Sequence, residues 1–356
     1  MSVRMGGPYR GLGAVPLMRT SVRLVMALIL SASTHACAGE AIRPALTRWL
    51  GPQDWQRDCD GPVVSLGKAG AFDDTHVFAP CVAFERGKFW MWYCGSRGTV
   101  AQRVFRLGLA TGRDGVRFRK SASSPVYAFG DGKRSILTPA LLRRPDGALL
   151  RERGRLRMWF AAAQLGAVGA VHTLHDTSSV DGTRWSPPSE ARLRNVYAPT
   201  VIKEEGVYRM WYTDVGSEPW TLRYARSEDG RRWTVHPKPV MGIDQKWESG
   251  RLFYPTVVKA NGVTLMWYGS YWSGHPNKTA IGFAVSANGL AWRKHPDNPV
   301  LRPDPNRPYE SHYTTSQSVL RLKNGTWRIW YASRKAPPFR NKYFAICTAS
   351  WSGPAR

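Results

Sequence analysis

The stretch YPTVVKANGVTLMWYGS (254–270) contains the pattern from which the fold can be predicted. It holds an apolar run that opens on a proline, an Asn-Gly pair, and a second apolar run that carries aromatic residues. β-Branched and aromatic residues favour strands, and Asn-Gly favours a tight two-residue turn. The stretch therefore predicts an antiparallel β-hairpin.

Both halves of this hairpin recur along the chain. From Pro80 to Gln317 the proline position repeats at intervals of 59, 60, 56 and 62 residues, and only the fifth copy has Gln in place of Pro. The proline-bearing runs are APCVAF (79–84), TPALLR (138–143), APTVIK (198–203), YPTVVK (254–259) and SQSVLR (316–321). The aromatic runs that follow them are MWY (91–93), MWF (158–160), MWY (210–212), MWY (266–268) and IWY (329–331). A fixed period of this size indicates a repeat architecture.

A third pattern follows the hairpin and consists of a strand, a turn and an aromatic residue. Its copies are LGLATGRDGVRF (107–118), TSSVDGTRW (177–185), RYARSEDGRRW (223–233) and IGFAVSANGLAW (281–292). The Asp or Asn in each turn is expected to cap it through its side chain. Each repeat then has about four strands, which is typical of a propeller blade.

The fifth repeat lacks its last strand, and the other end of the chain supplies a match. YFAICTASW (343–351) is followed by only five residues, whereas WQRDCDGPV (55–63) matches WRKHPDNPV (292–300) in spacing. Pairing the N-terminal strand with the last repeat would remove the open sheet edges. We therefore predict an all-β fold, a five-bladed β-propeller closed by the N-terminal strand that completes the last blade.

The repeats also explain the aromatic content. The 356-residue chain has 16 Trp, and nine of them fall on two repeat positions. We interpret these as packing between blades rather than as a ligand surface. Such an aromatic content, with 43% hydrophobic residues, excludes general disorder.

The chain is strongly basic, with a formal net charge of +26. The charge suggests an acidic partner. Nucleic acid is not favoured, because the repeats account for most aromatics and because the N-terminus predicts export. No run of 18 apolar residues is present, so no membrane span is predicted.

The N-terminus has the layout of a secretory signal peptide. Arg19 and Arg23 form a positive region, residues 24–30 are apolar, and Ala36 and Ala38 form a cleavage site. We predict a signal peptide with an N-terminal extension over residues 1–38 and a single propeller domain over 39–356. The protein is then periplasmic or secreted.

Four cysteines remain after the predicted cleavage, and an even number in an exported chain permits two disulfides. Cys59 falls on the closing strand, beside Cys347 on its neighbour, and Cys81 and Cys94 lie on adjacent strands of the first hairpin. Two bridges are predicted, Cys59–Cys347 and Cys81–Cys94; the alternative is four buried free thiols.

The combination P-x-V, M-W-Y, S-x-D-G-x-x-W and N-P-V over residues 50–351 resembles the five-bladed propeller glycoside hydrolases, the superfamily that holds families 32, 43, 62, 68, 117 and 130. The resemblance implies cleavage or transfer of a glycosidic bond in a funnel on the propeller axis. It also implies an acid and a base or nucleophile among carboxylates on the innermost strands. Some relatives hold a structural calcium ion; nothing in this sequence specifies one, and no other cofactor is predicted.

This sequence departs from the family where the catalytic carboxylates usually stand, one or two residues before the strand proline. Those positions hold Phe78-Ala79, Leu137-Thr138, Tyr197-Ala198 and Phe253-Tyr254. None of these residues is acidic, so the catalytic residues of the family cannot be carried over.

Acidic residues recur instead six to seven positions before the proline. Asp73, Glu248 and Glu310 align there, each behind an aromatic residue, and Asp74 follows Asp73. We predict Asp73 or Asp74 as the base and Glu248 or Glu310 as the acid. The alternative is that these residues cap strands and bind backbone.

The loops expected on the same face supply aromatic and basic side chains, which suit a sugar. The predicted substrate-binding residues are His76, Arg97, Asp214, Trp247, Arg251, Trp272, His312 and Arg334. No metal-ligand spacing, nucleophile elbow or phosphate loop is present. The predicted function is an exported glycosidase that acts on a poly- or oligosaccharide, with an acidic one suggested by the charge. The alternative is a carbohydrate-binding propeller without catalysis.

Overall fold

The structure, a computed structural model, describes residues 44–99, 102–144, 146–335 and 344–354. The predicted signal peptide lies outside the described residues. Over the described part of the chain, one helical turn at 44–47 continues into a 3-10 turn at Arg48–Leu50, and everything that follows is strand or connection. No helix among these residues is long and apolar enough to cross a membrane.

The described residues form 22 strands, several of them only two residues long. In chain order they are β1 (Gln56–Arg57), β2 (Val64–Ser65), β3 (His76–Glu85), β4 (Lys88–Ser96), β5 (Arg106–Gly112), β6 (Arg119–Lys120), β7 (Ser135–Leu141), β8 (Arg151–Glu152), β9 (Arg155–Ala163), β10 (Thr173–Ser179), β11 (Leu193–Arg194), β12 (Val196–Glu204), β13 (Val207–Asp214), β14 (Thr221–Ser227), β15 (Thr234–Val235), β16 (Glu248–Ala260), β17 (Val263–Trp272), β18 (Thr279–Ser286), β19 (Arg293–Lys294), β20 (Tyr313–Arg321), β21 (Trp327–Arg334) and β22 (Phe344–Trp351).

The strands group into antiparallel units that follow the sequence repeats. Repeat 1 is β3–β6, repeat 2 is β7–β11, repeat 3 is β12–β15, repeat 4 is β16–β19, and repeat 5 is β20–β22 with β1 and β2. Repeats 4 and 5 belong to one nine-stranded sheet, because Thr279 and Tyr313 form a single parallel pair between β18 and β20. The fold is all-β and consists of several sheets.

The N-terminal strands pair with the last strand of the chain, as the sequence predicts. Gln56 lies opposite Ser350 on β22, and Val64 lies opposite Ile346. Antiparallel ladders of backbone hydrogen bonds thus cover the outer edge of repeat 5 from the N-terminal side.

The six apolar core clusters of the described residues each contain buried residues of two neighbouring repeats. One of them joins the last repeat to the first: Leu320, Trp330 and Ile346 of repeat 5 pack with Val82 and Met91 of repeat 1. The first strands of the repeats are also in contact in sequence, β3 with β7, β7 with β12, β12 with β16, β16 with β20 and β20 with β3. Apolar burial between repeats therefore accounts for most of the core.

Four of the five recurrent tryptophans hold neighbouring repeats together by a specific hydrogen bond, whereas the buried Nε1 of Trp267 has no hydrogen-bond partner among the described residues. The indole Nε1 of Trp211 donates to the carbonyl oxygen of Gly289, in the turn of the next repeat, at 2.7 Å. The equivalent pairs are Trp92 with Gly182, Trp159 with Gly230, and Trp330 with Gly115. This confirms the interpretation of these aromatics as packing between repeats.

The same turns show why Gly follows Asp or Asn. Gly289 has φ of +76°, and a Cβ there would lie 2.6 Å from Trp211. The side chain of Asn288 accepts from the backbone N–H groups of Leu290 and Ala291 at 2.9 and 3.0 Å, so it caps the turn as predicted.

Each repeat has a β-bulge at the residue before its proline position. The residues there have left-handed φ values of 43° to 54°, and they are Ala79, Thr138, Ala198, Tyr254 and Ser316. The pairing register shifts at the same points. A non-glycine residue in this conformation is strained, and a bulge redirects the side chains beside it.

The two predicted disulfides are wrong, because all four cysteines are free thiols. The strand register places Cys81 opposite Trp92 and Cys94 opposite Phe78, so these cysteines do not face each other across the ladder. The thiol of Cys59 donates to the carbonyl oxygen of Gly61, and that of Cys347 lies 3.2 Å from the Ser333 hydroxyl. The structure therefore agrees with the alternative of free thiols.

Candidate functional site

The bulges surround a cavity of about 240 Å³ on the side where the first strands begin. The residue two positions before each proline position lines it, which gives Phe78, Leu137, Tyr197, Phe253 and Thr315. The conserved geometry of the bulge thus directs one side chain from every repeat into the same space. These are the positions at which the resembling family places its catalytic carboxylates.

Aromatic rings form most of the cavity wall. Phe78 packs edge-on against Phe105 with 4.8 Å between ring centroids, and Tyr197 contacts Trp220 at 6.2 Å. Tyr271 and Tyr313 also line the cavity. Flat aromatic faces in a concave site are suited to stacking on sugar rings.

Two tyrosines meet at the centre of this wall. The hydroxyl oxygens of Tyr197 and Tyr254 are 2.6 Å apart, so one phenol donates to the other. Burial raises the pKa of both phenols above the ordinary value, and the proximity of the Tyr197 hydroxyl raises the pKa of Tyr254 further. Both hydroxyls are therefore protonated at neutral pH, and the one that accepts the hydrogen bond between them keeps its own proton for a ligand.

Two histidines line the cavity as neutral imidazoles. His76 is buried, its Nδ1 lies 3.0 Å from the Ser96 hydroxyl, and burial together with the charges of Arg103 and Arg334 lowers its pKa to about 4. His172 packs against the Tyr197 ring at 5.1 Å, and burial lowers its pKa as well. A neutral imidazole can accept a proton or a hydrogen bond at physiological pH.

Arginines supply the positive charge of the cavity. Arg103 and Arg251 line it, and Arg334 lies fully buried behind the ring of Tyr313, 4.5 Å from its centroid. Burial lowers the pKa of Arg103 and brings that of Arg334 to about 10. Arg251 pairs with Glu218 and lies over the Trp220 ring at 4.1 Å. The Arg334 guanidinium therefore remains charged at neutral pH.

None of the four predicted catalytic carboxylates lines the cavity, and the described lining contains no Asp or Glu. Glu248 is buried between strands of its own repeat. Its carboxylate accepts from the Tyr268 hydroxyl and from the Lys294 ammonium, both at 2.7 Å, and from the backbone N–H of Asp244. These bonds occupy the lone pairs that a catalytic carboxylate would offer to substrate.

The same triad of carboxylate, tyrosine and cation recurs in two other repeats. Asp73 accepts from the Tyr93 hydroxyl at 2.8 Å and from the Lys120 ammonium at 2.5 Å. Glu310 accepts from the Tyr331 hydroxyl and from Arg57 at 3.1 Å, and it forms an ion pair with Arg307. The geometry therefore supports the strand-capping alternative for these residues and does not support their catalytic assignment.

Asp74 also has a structural role. Its carboxylate accepts from the backbone N–H of Gly70 at 2.8 Å and from the Thr75 hydroxyl at 2.9 Å. It therefore caps the turn that precedes β3 and is not directed into the cavity.

A signal for the triads is present in the sequence. Two residues after the aromatic of the fourth strand, repeats 1, 4 and 5 have Lys120, Lys294 and Arg57, whereas repeats 2 and 3 have Pro187 and Val235. A cation thus occurs only in the repeats that have the acidic residue. This correlation indicates an internal ion pair that stabilises each of these repeats.

Of the eight predicted substrate-binding residues, His76 and Arg251 line the cavity. Arg334 lies directly behind it, and the backbone N–H of His312 donates to the Arg334 carbonyl oxygen at 3.0 Å. Arg97 is exposed and outside the lining.

The remaining three predicted residues have partners of their own. Asp214 pairs with Arg223 at 2.6 Å. Trp247 is buried against Tyr268, and Trp272 stacks on His275 with 3.6 Å between centroids. None of these three lines the cavity.

Arg103, His172, Tyr197 and Tyr254 are the residues that the sequence-based site prediction omitted. Tyr197 lies two residues before Pro199, and Tyr254 lies one residue before Pro255. These are the positions at which the resembling family has its catalytic carboxylates. Because they are not acidic, the search for carboxylates passed over them. Arg103 and His172 lie in connections that do not repeat, so no pattern indicates them.

No metal centre is indicated. Within the described ranges there is no group of three or more His, Cys, Asp or Glu placed to hold an ion.

Comparisons with known proteins extend this picture. No protein-family model matches the chain. Two uncharacterized proteins of Mycobacterium tuberculosis, Rv1502 of strain H37Rv and MT1551 of strain CDC 1551, are 26% identical over 241 residues, which cover 64% of this chain and 77% of each of theirs.

Among solved structures, a glycoside hydrolase is similar with a TM-score of 0.68 at 17% identity, over 91% of this chain and 97% of that one. A second, from work on the family 130 mannoside phosphorylases and their glycoside hydrolases for β-1,2 mannosidic linkages in Candida mannan, has a TM-score of 0.63 at 16% identity, over 84% of this chain and 94% of that one. The fold is that of the glycoside-hydrolase propellers. At such low identity the likeness shows the fold alone, and the activity must be argued from the cavity.

Proposed function

We propose that the protein is an exported, carbohydrate-active propeller that binds an acidic poly- or oligosaccharide in the aromatic cavity and cleaves its glycosidic bonds. The observation that carries the proposal is the composition of the cavity. Its wall combines stacked aromatic rings with guanidinium and imidazole groups, and the described lining contains no carboxylate. Such a site favours a ligand that has both sugar faces and negative charge.

The proposal includes five blades in a closed ring. It is supported by five first strands in successive contact, and by the Trp330–Gly115 bond between repeats 5 and 1. A chain that starts after Ser65 lacks β1 and β2 and should lose its cooperative thermal unfolding, because the edge of β22 is then bare. A chain that starts at Gly39 is the matched control and should unfold as the full chain does.

The acidic nature of the ligand follows from charge. Arg103 contributes a guanidinium that is partly desolvated, and an ion pair is stronger in such surroundings than in water. A guanidinium in such surroundings favours a ligand that carries negative charge.

The experiment is a binding and cleavage panel. The chain from Gly39 is titrated by calorimetry with neutral and with uronic-acid oligosaccharides of equal length, and the products are separated after incubation. We expect binding and cleavage only in the uronic-acid series. Tight binding of neutral glycans alone would refute the acidic assignment, and no binding of any glycan would refute the function.

A second candidate is a carbohydrate-binding propeller without catalysis. It is favoured by one observation, the lack of a pair of carboxylates in the described cavity wall, since conventional glycoside hydrolysis requires two. Binding without release of any product in the panel would support it.

Export is proposed from the N-terminal sequence. Residues 1–38 fused to a reporter enzyme that is active only outside the cytoplasm should yield activity. Leu28→Arg interrupts the apolar run and should abolish it. Equal reporter activity of both fusions would refute the signal-peptide assignment.

A further inference from the structure

Among the described residues, the cavity lining lacks the carboxylates that hydrolysis needs but has groups suited to another way of breaking the same bond. Hydrolysis by a propeller glycosidase uses one carboxylic acid and one carboxylate across the scissile bond. All carboxylates predicted for this purpose are bonded to tyrosines, cations or backbone outside the cavity. The cavity offers phenol, imidazole and guanidinium instead.

These groups are concentrated around Tyr197. Its ring lies 5.1 Å from that of His172, and its hydroxyl lies 2.6 Å from that of Tyr254. Arg103 also interacts with Tyr197: burial lowers the pKa of Arg103, and the Tyr197 phenol counteracts part of that lowering. Repeats 1 to 4 thus each contribute one residue to this cluster, from a connection in repeats 1 and 2 and from the first strand in repeats 3 and 4.

We propose that this cluster cleaves the polysaccharide at a uronic acid residue by β-elimination, with His172 as the base, Tyr197 as the acid and Arg103 as the partner of the uronate carboxylate. The inference rests on the proposed binding of an acidic carbohydrate in the same cavity. The reaction is then an elimination rather than a hydrolysis, and the substrate must contain a 4-linked uronate.

The chemistry follows from the position of the carboxylate. In a uronate the hydrogen on C5 is α to the carboxyl group, and a guanidinium bonded to that group stabilises the negative charge that develops when the hydrogen leaves as a proton. His172 takes the proton. The electron pair of the C5–H bond forms the C4–C5 double bond, and the C4–O4 bond breaks.

The leaving oxygen keeps the electron pair of the C4–O4 bond and receives a proton from the Tyr197 hydroxyl. The Tyr197 phenolate then becomes a phenol again, because the proton that His172 took reaches it through solvent. No water is added across the bond, and no metal, oxidant or second substrate is needed. The products are one ordinary chain end and one end with an unsaturated uronate.

The protonation states fit these roles. Burial lowers the pKa of His172, which keeps its imidazole neutral and able to accept a proton. Burial raises the pKa of the Tyr197 phenol, which keeps its proton until the leaving group needs it. Tyr254 is a positioning residue, because it holds the Tyr197 hydroxyl by a hydrogen bond.

The experiment follows the double bond. Uronic-acid oligosaccharides are incubated with the chain from Gly39 in heavy-oxygen water, while near-ultraviolet absorbance and product mass are recorded. We expect the absorbance of a conjugated unsaturated uronate and no heavy oxygen in the products. Release of saturated products that carry heavy oxygen would overturn the elimination but leave the proposed function standing.

Binding without any cleavage would also overturn the elimination, whereas absence of binding would refute the proposed function on which it rests. The variants Tyr197→Phe and His172→Gln should each lower kcat by roughly 10²–10⁴-fold, as loss of general acid or base does, with binding of the oligosaccharide retained. Tyr254→Phe should lower kcat less and leave KM unchanged.

The matched controls are Tyr224→Phe and His236→Gln, which lie outside the cavity lining and should leave kcat unchanged. If Tyr197→Phe and His172→Gln fold, bind and cleave like the parent, the assignment of base and acid is refuted. If either variant fails to fold, the product analysis on the unmodified protein still decides between elimination and hydrolysis.

Discussion

Two polar systems of this protein differ in whether they recur among the repeats. The carboxylate–tyrosine–cation triads occupy the same position in repeats 1, 4 and 5. The cavity cluster of His172, Tyr197, Tyr254 and Arg103 occurs once. Buried polar groups are costly in either place, but the triads satisfy one another within a repeat while the cavity groups face a space that a ligand can enter.

The difference teaches how to interpret a repeat protein. A residue that recurs at one position meets the same neighbours in each copy, so its partners belong to the fold. A site on the common axis receives one side chain from every repeat, and the side chains must differ if they are to bind an asymmetric ligand. Recurrence therefore indicates structure, and the departures from it indicate function.

The largest expected effect tests the triads. Glu310→Ala removes a buried carboxylate and leaves the Tyr331 hydroxyl and the Arg57 guanidinium without it, so it should lower the free energy of unfolding by about 3–5 kcal/mol. Denaturant unfolding measures the loss. Glu190→Ala, at an exposed glutamate, should change stability by less than about 0.5 kcal/mol.

If Glu310→Ala instead unfolds like the parent but no longer cleaves substrate, Glu310 takes part in the reaction. The distinction between structural triads and a functional cavity cluster is then refuted. Glu310→Gln keeps an acceptor for Tyr331 and should lose less stability than the alanine variant.

The next prediction concerns the pH dependence of stability that His76 in the cavity wall should cause. An unfolded histidine binds a proton as the pH falls below 6.5, whereas folded His76 does so only near pH 4, because burial and the charges of Arg103 and Arg334 disfavour its charged form. The unfolded chain thus binds more protons in this window. Stability should fall by roughly 3 kcal/mol between pH 6.5 and 4 on account of His76.

Unfolding of the parent and of His76→Gln by denaturant at several pH values checks this. The variant should lose less stability over the window than the parent. Parallel curves for the two proteins would show that His76 titrates normally and is not buried as described.

A smaller effect tests the contact between repeats. Gly289→Ala places a Cβ 2.6 Å from Trp211 in addition to its positive φ, and overpacking of this kind should cost about 1–3 kcal/mol beyond the backbone term. Gly262→Ala is the matched control, since its φ is +78° and nothing lies within 4 Å of the added Cβ. Equal destabilisation of the two variants would mean that the Trp–Gly contact is loose.

The smallest effect concerns ligand charge. Arg103→Gln should weaken binding of a uronic-acid oligosaccharide about tenfold, the equivalent of 1.4 kcal/mol for one charge-assisted hydrogen bond. Arg97→Gln, at an exposed arginine outside the cavity, should leave the affinity unchanged. Titration calorimetry measures both, and a similar loss in both variants would indicate a diffuse effect of net charge.

Much of the fold could be predicted because its signals are local and repeated. Hairpins such as β16–β17 follow from strand-forming residues around Asn261-Gly262, and the pairing of β1 with β22 follows from the matched spacing of Trp55 and Trp292. The site was predicted less well. Acidic side chains recur near the first strands, and we predicted that they are catalytic. Their partners are cations that recur two residues after the aromatic of the fourth strand, and the prediction did not take these cations into account.

The disulfide prediction failed for a related reason. Sequence spacing placed Cys81 and Cys94 on adjacent strands correctly, but Cys81 lies opposite Trp92 and Cys94 lies opposite Phe78, and the one-residue shift at the Ala79 bulge does not bring the two cysteines opposite each other. A bulge is a feature of backbone conformation at one residue, and no side chain in the sequence announces its left-handed φ.

The sequence by itself determined the repeat, its strands, its turns and the aromatic packing between copies, because each depends on residues that are near one another in the chain. Only the tertiary structure decided which polar residues meet. Arg103, His172, Tyr197 and Tyr254 come from four repeats spread over about 150 residues. Their proximity depends on how the repeats pack around the cavity, and that is a property of the assembled sheets.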